Sequence, residues 1–381
     1  MHGVVVMRPF TTVLCGGPGL GFYVPGVILA KQLERHCPVE VEVIERLLPA
    51  DKQELVIRSR RKFHADFRIA LMAQRLATDI TNQLDTAQVE ATLQRWRASD
   101  RRRFVVFSGF WATLVQRYLR DYAPGPVAVD FCHVDSAPSS SWGLVEKGMP
   151  GIRNVWFLRF ETRSLHYRLD VNGEPPLPFT ERARRLLCHG GGWGMGTYRE
   201  RTRALAEHEL GLDLLCYEHD ELDALPGARH FILDPDWFPF RLRRGESLFP
   251  PLGSLQPGGA VQYTVNAKFP ELYNFTRRAA AIVSKPGAGT LIDSLSAATP
   301  LITLEPFGEY ERKNGELWRE FGFAIDFDDW VRTGCSLEAL EPLHRNLLAA
   351  RQRLQSYAEH CCELDAPDSG APLRTTLETR P

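Results

Sequence analysis

The stretch that most limits how this chain can fold lies late in the sequence. Residues 280–283 (Ala-Ala-Ile-Val) form a short apolar run, which reads as a buried strand. Residues 284–290 (Ser-Lys-Pro-Gly-Ala-Gly-Thr) follow at once and cannot continue it. From Thr290 the pattern predicts a helix over 291–298. A strand, a glycine-rich turn and a helix start together present free backbone N–H groups and the positive end of a helix dipole. An anion, most often a phosphate, suits that place. An ordinary strand-to-helix turn in an α/β domain has the same composition.

The unit recurs along the chain. Residues 11–15 predict a buried strand, 16–21 (Gly-Gly-Pro-Gly-Leu-Gly) a turn, and 26–36 an amphipathic helix. Strands are expected at 39–44, 103–107 and 127–134, with a polar, mostly helical segment over 51–98 and a helix near 112–122. Such alternation specifies a parallel sheet covered on both faces. Residues 154–160 and 165–170 read as a hairpin, and the break at 172–178 marks a domain boundary. A second series opens with a strand at 186–188 and another glycine-rich turn, 190–196 (Gly-Gly-Gly-Trp-Gly-Met-Gly). Strands follow at 212–217, 228–233, 260–265, 301–304 and 323–327, and helices at 269–278, 311–321 and 336–362. The chain divides into domains at 1–180 and 181–364, with a polar tail over 365–381 expected to be disordered. Two facing doubly wound domains leave a cleft at the carboxyl ends of their strands, where ligands bind.

Composition narrows the function classes. With 46 basic and 47 acidic residues among 381, the formal charge is −1, so no global pull toward nucleic acid or an anionic membrane follows. The basic runs at 58–62 and 101–103 read as solvated faces. The eight cysteines form no CxxC pair, which argues against a zinc site or a disulfide framework and for a reducing, cytoplasmic setting. No signal-like amino terminus and no apolar run long enough to span a membrane are present.

The second half resembles the donor domain of nucleotide-sugar glycosyltransferases of the GT-B architecture, in particular their MurG-like and macrolide-type branches. The resemblance rests on residues 284–290, Asp293, the strand from Pro300 to a proline at 306, and Asn314 followed by Gly315. Residues 190–196 resemble the family's other phosphate loop, and residues 19–25 (Gly-Leu-Gly-Phe-Tyr-Val-Pro) its acceptor-domain loop. The resemblance implies the GT-B fold, α/β with two Rossmann-like domains facing a central cleft. It also implies transfer of a sugar from a UDP- or dTDP-sugar to a small or amphipathic acceptor, with inversion. No cofactor or metal is implied, because the nucleotide sugar is a co-substrate.

Residue by residue, the resemblance assigns the diphosphate to the amides of Gly287, Ala288, Gly289 and Thr290, with Lys285 adding charge. Gly194, Met195, Gly196 and Thr197 would approach from the other loop. Asp293 would accept ribose hydroxyls, the backbone of Val265 would hold the base, and Glu309 and Asn314 would touch the donor sugar or nearby loops. Stabilising a departing diphosphate needs no metal when amide donors are already in place.

One departure matters. Where family members carry a catalytic His after the second glycine of the first loop, this chain has Phe22. Phenylalanine takes no proton, so another base is required unless the acceptor ionises readily. His133 and Asp135 are the candidates, since they end a strand and, by alternation, would point to one side. Glu45 is a weaker candidate. Gly21, Phe22, Tyr23, Trp111 and Trp142 are expected to line the acceptor side, together with Phe110. The alternative to an active transferase is a degenerate GT-B-like binding or accessory protein, or a GT-B epimerase or hydrolase using the same nucleotide site.

Overall fold

The computed structural model describes residues 10–16, 19–75, 80–144, 151–205, 208, 210–222, 225–243, 245–364 and 377–378. The first half holds β1 (Thr11–Cys15), α1 (Val24–Leu33), β2 (Val39–Val43), α2 (Ala50–Ala65), α3 (Phe67–Arg75) and α4 (Thr86–Ala98). It continues with β3 (Arg103–Val106), α5 (Ala112–Asp121), β4 (Ala128–His133) and β5 (Ile152–Trp156). These strands form one parallel sheet in the order β2-β1-β3-β4-β5. β1 and β3 are buried along their whole length, as a sheet covered on both faces requires.

Three short strands follow: β6 (Leu158–Arg159), β7 (Ser164–Leu165) and β8 (Tyr167–Arg168). Only β6 and β7 pair antiparallel. The expected hairpin is otherwise replaced, because residues 152–156 add to the open edge of β4 as β5, setting Trp156 beside His133.

The second half holds β9 (Ala183–Cys188), α6 (Tyr198–Arg203), β10 (Gly211–Cys216), β11 (Ala228–Leu233), β12 (Leu252–Leu255) and β13 (Tyr263–Thr264). Next come α7 (Leu272–Arg278), β14 (Ala279–Ser284), α8 (Ala288–Ala297), β15 (Leu301–Thr303), α9 (Glu309–Glu320) and β16 (Ala324–Asp326). The chain closes with α10 (Phe327–Arg332), α11 (Glu341–Arg353), β17 (Gln355–Ser356), α12 (Tyr357–Leu364) and β18 (Leu377–Glu378). The second sheet runs β13-β12-β11-β10-β9-β14-β15-β16, parallel except where β12 and β13 join antiparallel. The strand expected over 260–265 is only the two-residue edge strand β13.

Strand order places the ligand-binding edge. In the first sheet the winding reverses between β1 and β3, and in the second between β9 and β14. The glycine-rich turns follow β1, β9 and β14, so each leaves its sheet at the point where a doubly wound sheet opens a crevice. The halves meet through an apolar cluster in which Val27 and Ile28 of α1 share a core with Leu291 and Leu295 of α8.

The helix expected over 336–362 is broken. After α11 the backbone turns extended at Leu354 (φ −81°, ψ 133°), and β17 pairs with β8. No proline or glycine stands at the break, so tertiary pairing overrides local propensity. α12 then returns to the first sheet, where the Tyr357 hydroxyl donates to Asp130 Oδ2 at 2.8 Å. Asp130 also accepts from Arg103 and Arg153. Burial alone would raise its pKa, but these donors hold it below the usual carboxylate range. Most of the tail expected to be disordered lies outside the described residues; Leu377–Glu378 pair with β7. All eight cysteines are free, and among the described residues no helix is long and apolar enough to cross a membrane.

Candidate functional site

Loops from both sheets enclose a cavity of about 230 Å³. Its walls come from Gly19 to Phe22 after β1, Asp135 after β4, His189, Gly191 to Trp193 and Met195 after β9, Lys285 and Gly287 to Thr290 after β14, and Phe307 with Glu311 around the start of α9. Most of the lining is apolar, with Leu20, Phe22, Ile28 and Phe63 on the first-domain side.

The start of α8 opens onto this space. Gly287, at the helix N-cap, is extended (φ −75°, ψ 155°), and no side chain caps the helix. The first intrahelical bond is Leu291 N–H to Gly287 C=O, so the N–H groups of Ala288, Gly289 and Thr290 have no backbone partner among the described residues. Gly287, Ala288, Gly289 and Thr290 all line the cavity. A Cβ built on Gly289 would meet nothing within 4 Å, so the space above this amide is open. Asp293, one turn on, also lines the cavity and is partly buried. It has no hydrogen bond or ion pair among the described residues, and burial pushes its carboxyl up to about 7.

Lys285 does not stand free. Its ammonium donates to Glu311 Oε1 at 2.6 Å, with both side chains buried. The other Glu311 oxygen accepts the Phe307 amide at 2.7 Å. Glu309 on α9, expected to touch the donor sugar or nearby loops, is exposed and paired with Arg312 at the surface. Helical phase, which the sequence does not fix at a helix start, puts Glu311 inward instead.

Asn314 is fully buried and joins the two halves. Its Nδ2 donates to Asp135 Oδ1 at 2.8 Å and to the Pro286 carbonyl at 3.1 Å, and its Oδ1 accepts the Ser136 amide at 2.7 Å. The loop after β4 is thereby pinned to the turn before α8. Asp135 faces the cavity, and burial pushes its carboxyl up to about 7; the Asn314 bond and Lys285 oppose that rise, while Glu311 adds to it.

The turn after β9 reaches the cavity with a different part than expected. Met195 lines it, but so do Gly191, Gly192 and Trp193, whereas Gly194, Gly196 and Thr197 do not. Gly194 takes the left-handed conformation (φ 66°), and its carbonyl is bonded to His64 Nδ1 of α2 at 2.9 Å. The Thr197 hydroxyl donates to Glu305. Trp193 and Met195 pack with Ala70, Phe63, Phe67 and Phe307, so the first half covers this turn.

Other expected residues lie elsewhere. His133 does not line the cavity; it stacks on Trp156 at 4.1 Å, lies tilted against Trp142 at 4.4 Å, and is bonded to Asn154. Burial pushes its pKa down to about 4. Alternation fails here because β4 ends at His133, and Asp135 lies in the loop beyond. Trp111 is wholly buried beside Trp96, with its indole N–H on the Cys15 carbonyl, and Trp142 packs on Phe131. Tyr23 is buried with its hydroxyl on the Leu248 carbonyl. Gly21 and Phe22 do line the cavity. Val265 is 47% exposed and away from it. Glu45 is buried on a short 3-10 helix beside Gly16, outside the cavity lining.

Lining residues that the sequence does not single out include Glu311 and His189. His189 stands directly after β9 and before three consecutive glycines, which was the available signal. Its Nδ1 accepts the Gly191 amide at 3.1 Å, with the Ser284 hydroxyl 3.4 Å away. Burial first, and Lys285 second, push its pKa down to about 3.

No protein-family model and no curated protein matches the chain. Solved structures do. The glycosyltransferase SnogD from Streptomyces nogalater aligns over 94% of this chain and 99% of its own at 15% identity, with a TM-score of 0.50. MurG of Acinetobacter baumannii aligns over 93% and 99% at 13% identity (TM-score 0.49). Arabidopsis thaliana UGT89C1, complexed with UDP-L-rhamnose, aligns over 94% and 99% at 11% identity (TM-score 0.49). The chain has the GT-B fold, two Rossmann-like α/β domains facing a central cleft.

Proposed function

We propose that the chain is a glycosyltransferase that moves a sugar from a UDP- or dTDP-sugar to a small or amphipathic acceptor, with inversion and without a metal. The observation that carries this reading is the uncapped start of α8. Three amides without backbone partners among the described residues belong to the cavity wall at the switch point of the second sheet. A diphosphate there meets backbone donors and the positive helix end. The fold shared with a glycosyltransferase supports the same reading.

In this reading the apolar wall around Phe22 and Ile28 takes the acceptor, and Asp135 is the base. The acceptor hydroxyl gives its proton to Asp135 as its oxygen bonds the anomeric carbon. The bond from that carbon to the diphosphate oxygen breaks, and the leaving diphosphate gains charge against the amides of Ala288, Gly289 and Thr290. A carboxyl pushed up to about 7 suits proton transfer near neutral pH. Asn314 holds it against the donor turn. Lys285 and Glu311 neutralise each other, and Asp293 remains for a donor hydroxyl.

A thermal-shift series with UDP, dTDP and GDP, followed by donor-turnover assays, tests the proposal. UDP or dTDP should raise Tm, and Asp135→Asn should lower turnover by ~10²–10⁴-fold. No shift with any nucleotide at millimolar concentration would remove the donor site. Binding without turnover, in either transfer or hydrolysis, would leave a binding protein instead of an enzyme.

A further inference from the structure

We infer that His189 is a neutral N–H donor to the anion held in the cavity, and so a ligand-binding residue of the donor site. This rests on the diphosphate reading and adds a contact that reading did not require. The Gly191 amide can only donate, so the Nδ1 it meets at 3.1 Å must be bare. Ser284 Oγ, 3.4 Å away, points at the same nitrogen. The ring proton therefore sits on Nε2, which has no protein partner among the described residues. The residue is 4% exposed and lines the cavity, which leaves the ligand space as the place for a partner of this N–H. This donor, unused by the protein, is open to a ligand oxygen in the cavity.

His189 shares the cavity with the uncapped start of α8, which favours an anionic oxygen as its partner. His189 leads directly into the turn at Gly191, and a Cβ built on Gly191 would come within 3.4 Å of Lys285 Nζ. Burial, and after it the Lys285 ammonium, disfavour a second proton on the ring. The second ring proton of a charged imidazole would also collide with the Gly191 N–H. A neutral donor of this kind cannot release its proton to the leaving group, but its bond strengthens as the diphosphate gains charge.

Titration calorimetry with UDP and dTDP on the wild type, His189→Leu and His189→Gln tests this. A hydrogen bond to a charged group predicts binding weakened about ten- to hundredfold in His189→Leu. His189→Gln, which keeps an N–H, should recover part of the loss. In ¹⁵N-histidine spectra of the wild type, the His189 Nε2–H signal should shift when UDP is added, while bare Nδ1 keeps its state. Equal affinity in wild type and His189→Leu, or an unmoved Nε2–H signal in a protein that binds UDP, would overturn the inference alone. A wild type that binds neither nucleotide would overturn the diphosphate reading and the inference with it. The NMR readout holds even where the leucine variant fails to fold.

Discussion

At the scale of single residues, the account turns on two carboxyls held in an unusual state. Asp135 must be ionised to take a proton, so kcat/KM should climb with pH and level off above about 7. The Asn314 bond is one of the influences that lower this pKa. Asn314→Ala should therefore move the midpoint of that pH profile upward. It should also cost stability, ~1–3 kcal/mol for each buried partner left unpaired. Asp293 makes a separate prediction. Its folded pKa, raised to about 7, lies above the roughly 4 of an unfolded aspartate, so the folded state holds the proton more tightly. Stability from this group is present below pH ~4 and is lost as pH rises toward 7. Thermal unfolding of Asp293→Asn should match wild type at pH 4 and exceed it at pH 8, by on the order of 1 kcal/mol or more. Residue identities were only partly legible in the sequence. The strand-to-helix turn at Gly287 to Thr290 was readable because glycine spacing breaks the apolar run and frees the backbone. Asp135 and His133 looked equivalent because a strand end is invisible to alternation, and one extra loop residue separates a cavity wall from an aromatic stack.

At the scale of elements, the strands and most helices were legible because buried parallel strands are continuous apolar runs. The break between α11 and α12 was not, since its cause is the pairing of β17 with β8, remote in sequence. The turn after β9 was recognisable, but which of its glycines meet the ligand was not. Contact with the first half decides that. A Cβ on Gly192 would lie 2.6 Å from the Leu20 backbone nitrogen, and the backbone conformation of Gly192 is itself ordinary. Gly192→Ala should therefore act by pushing the two loops apart. Calorimetry should give weaker UDP binding, and melting a loss of ~1–3 kcal/mol.

At the scale of the whole molecule, the two halves are tied by more than the chain. α1 and α8 share one apolar core, Asn314 bridges the cleft, and α12 closes back on the first sheet. Tyr357, fully buried at that return point, should cost ~3–5 kcal/mol when changed to Ala, although it is far from the cavity and late in the sequence. The first half should lose protection from proteolysis with it. The central claim, that the start of α8 holds a diphosphate, is tested most directly at Gly289. Its outward space is empty, so Gly289→Asp fits sterically and its carboxylate favours the helix end. Calorimetric titration of both proteins with UDP and dTDP should show binding to the wild type and none to Gly289→Asp, with Tm unchanged or raised. Undiminished nucleotide binding by a folded Gly289→Asp would contradict the account.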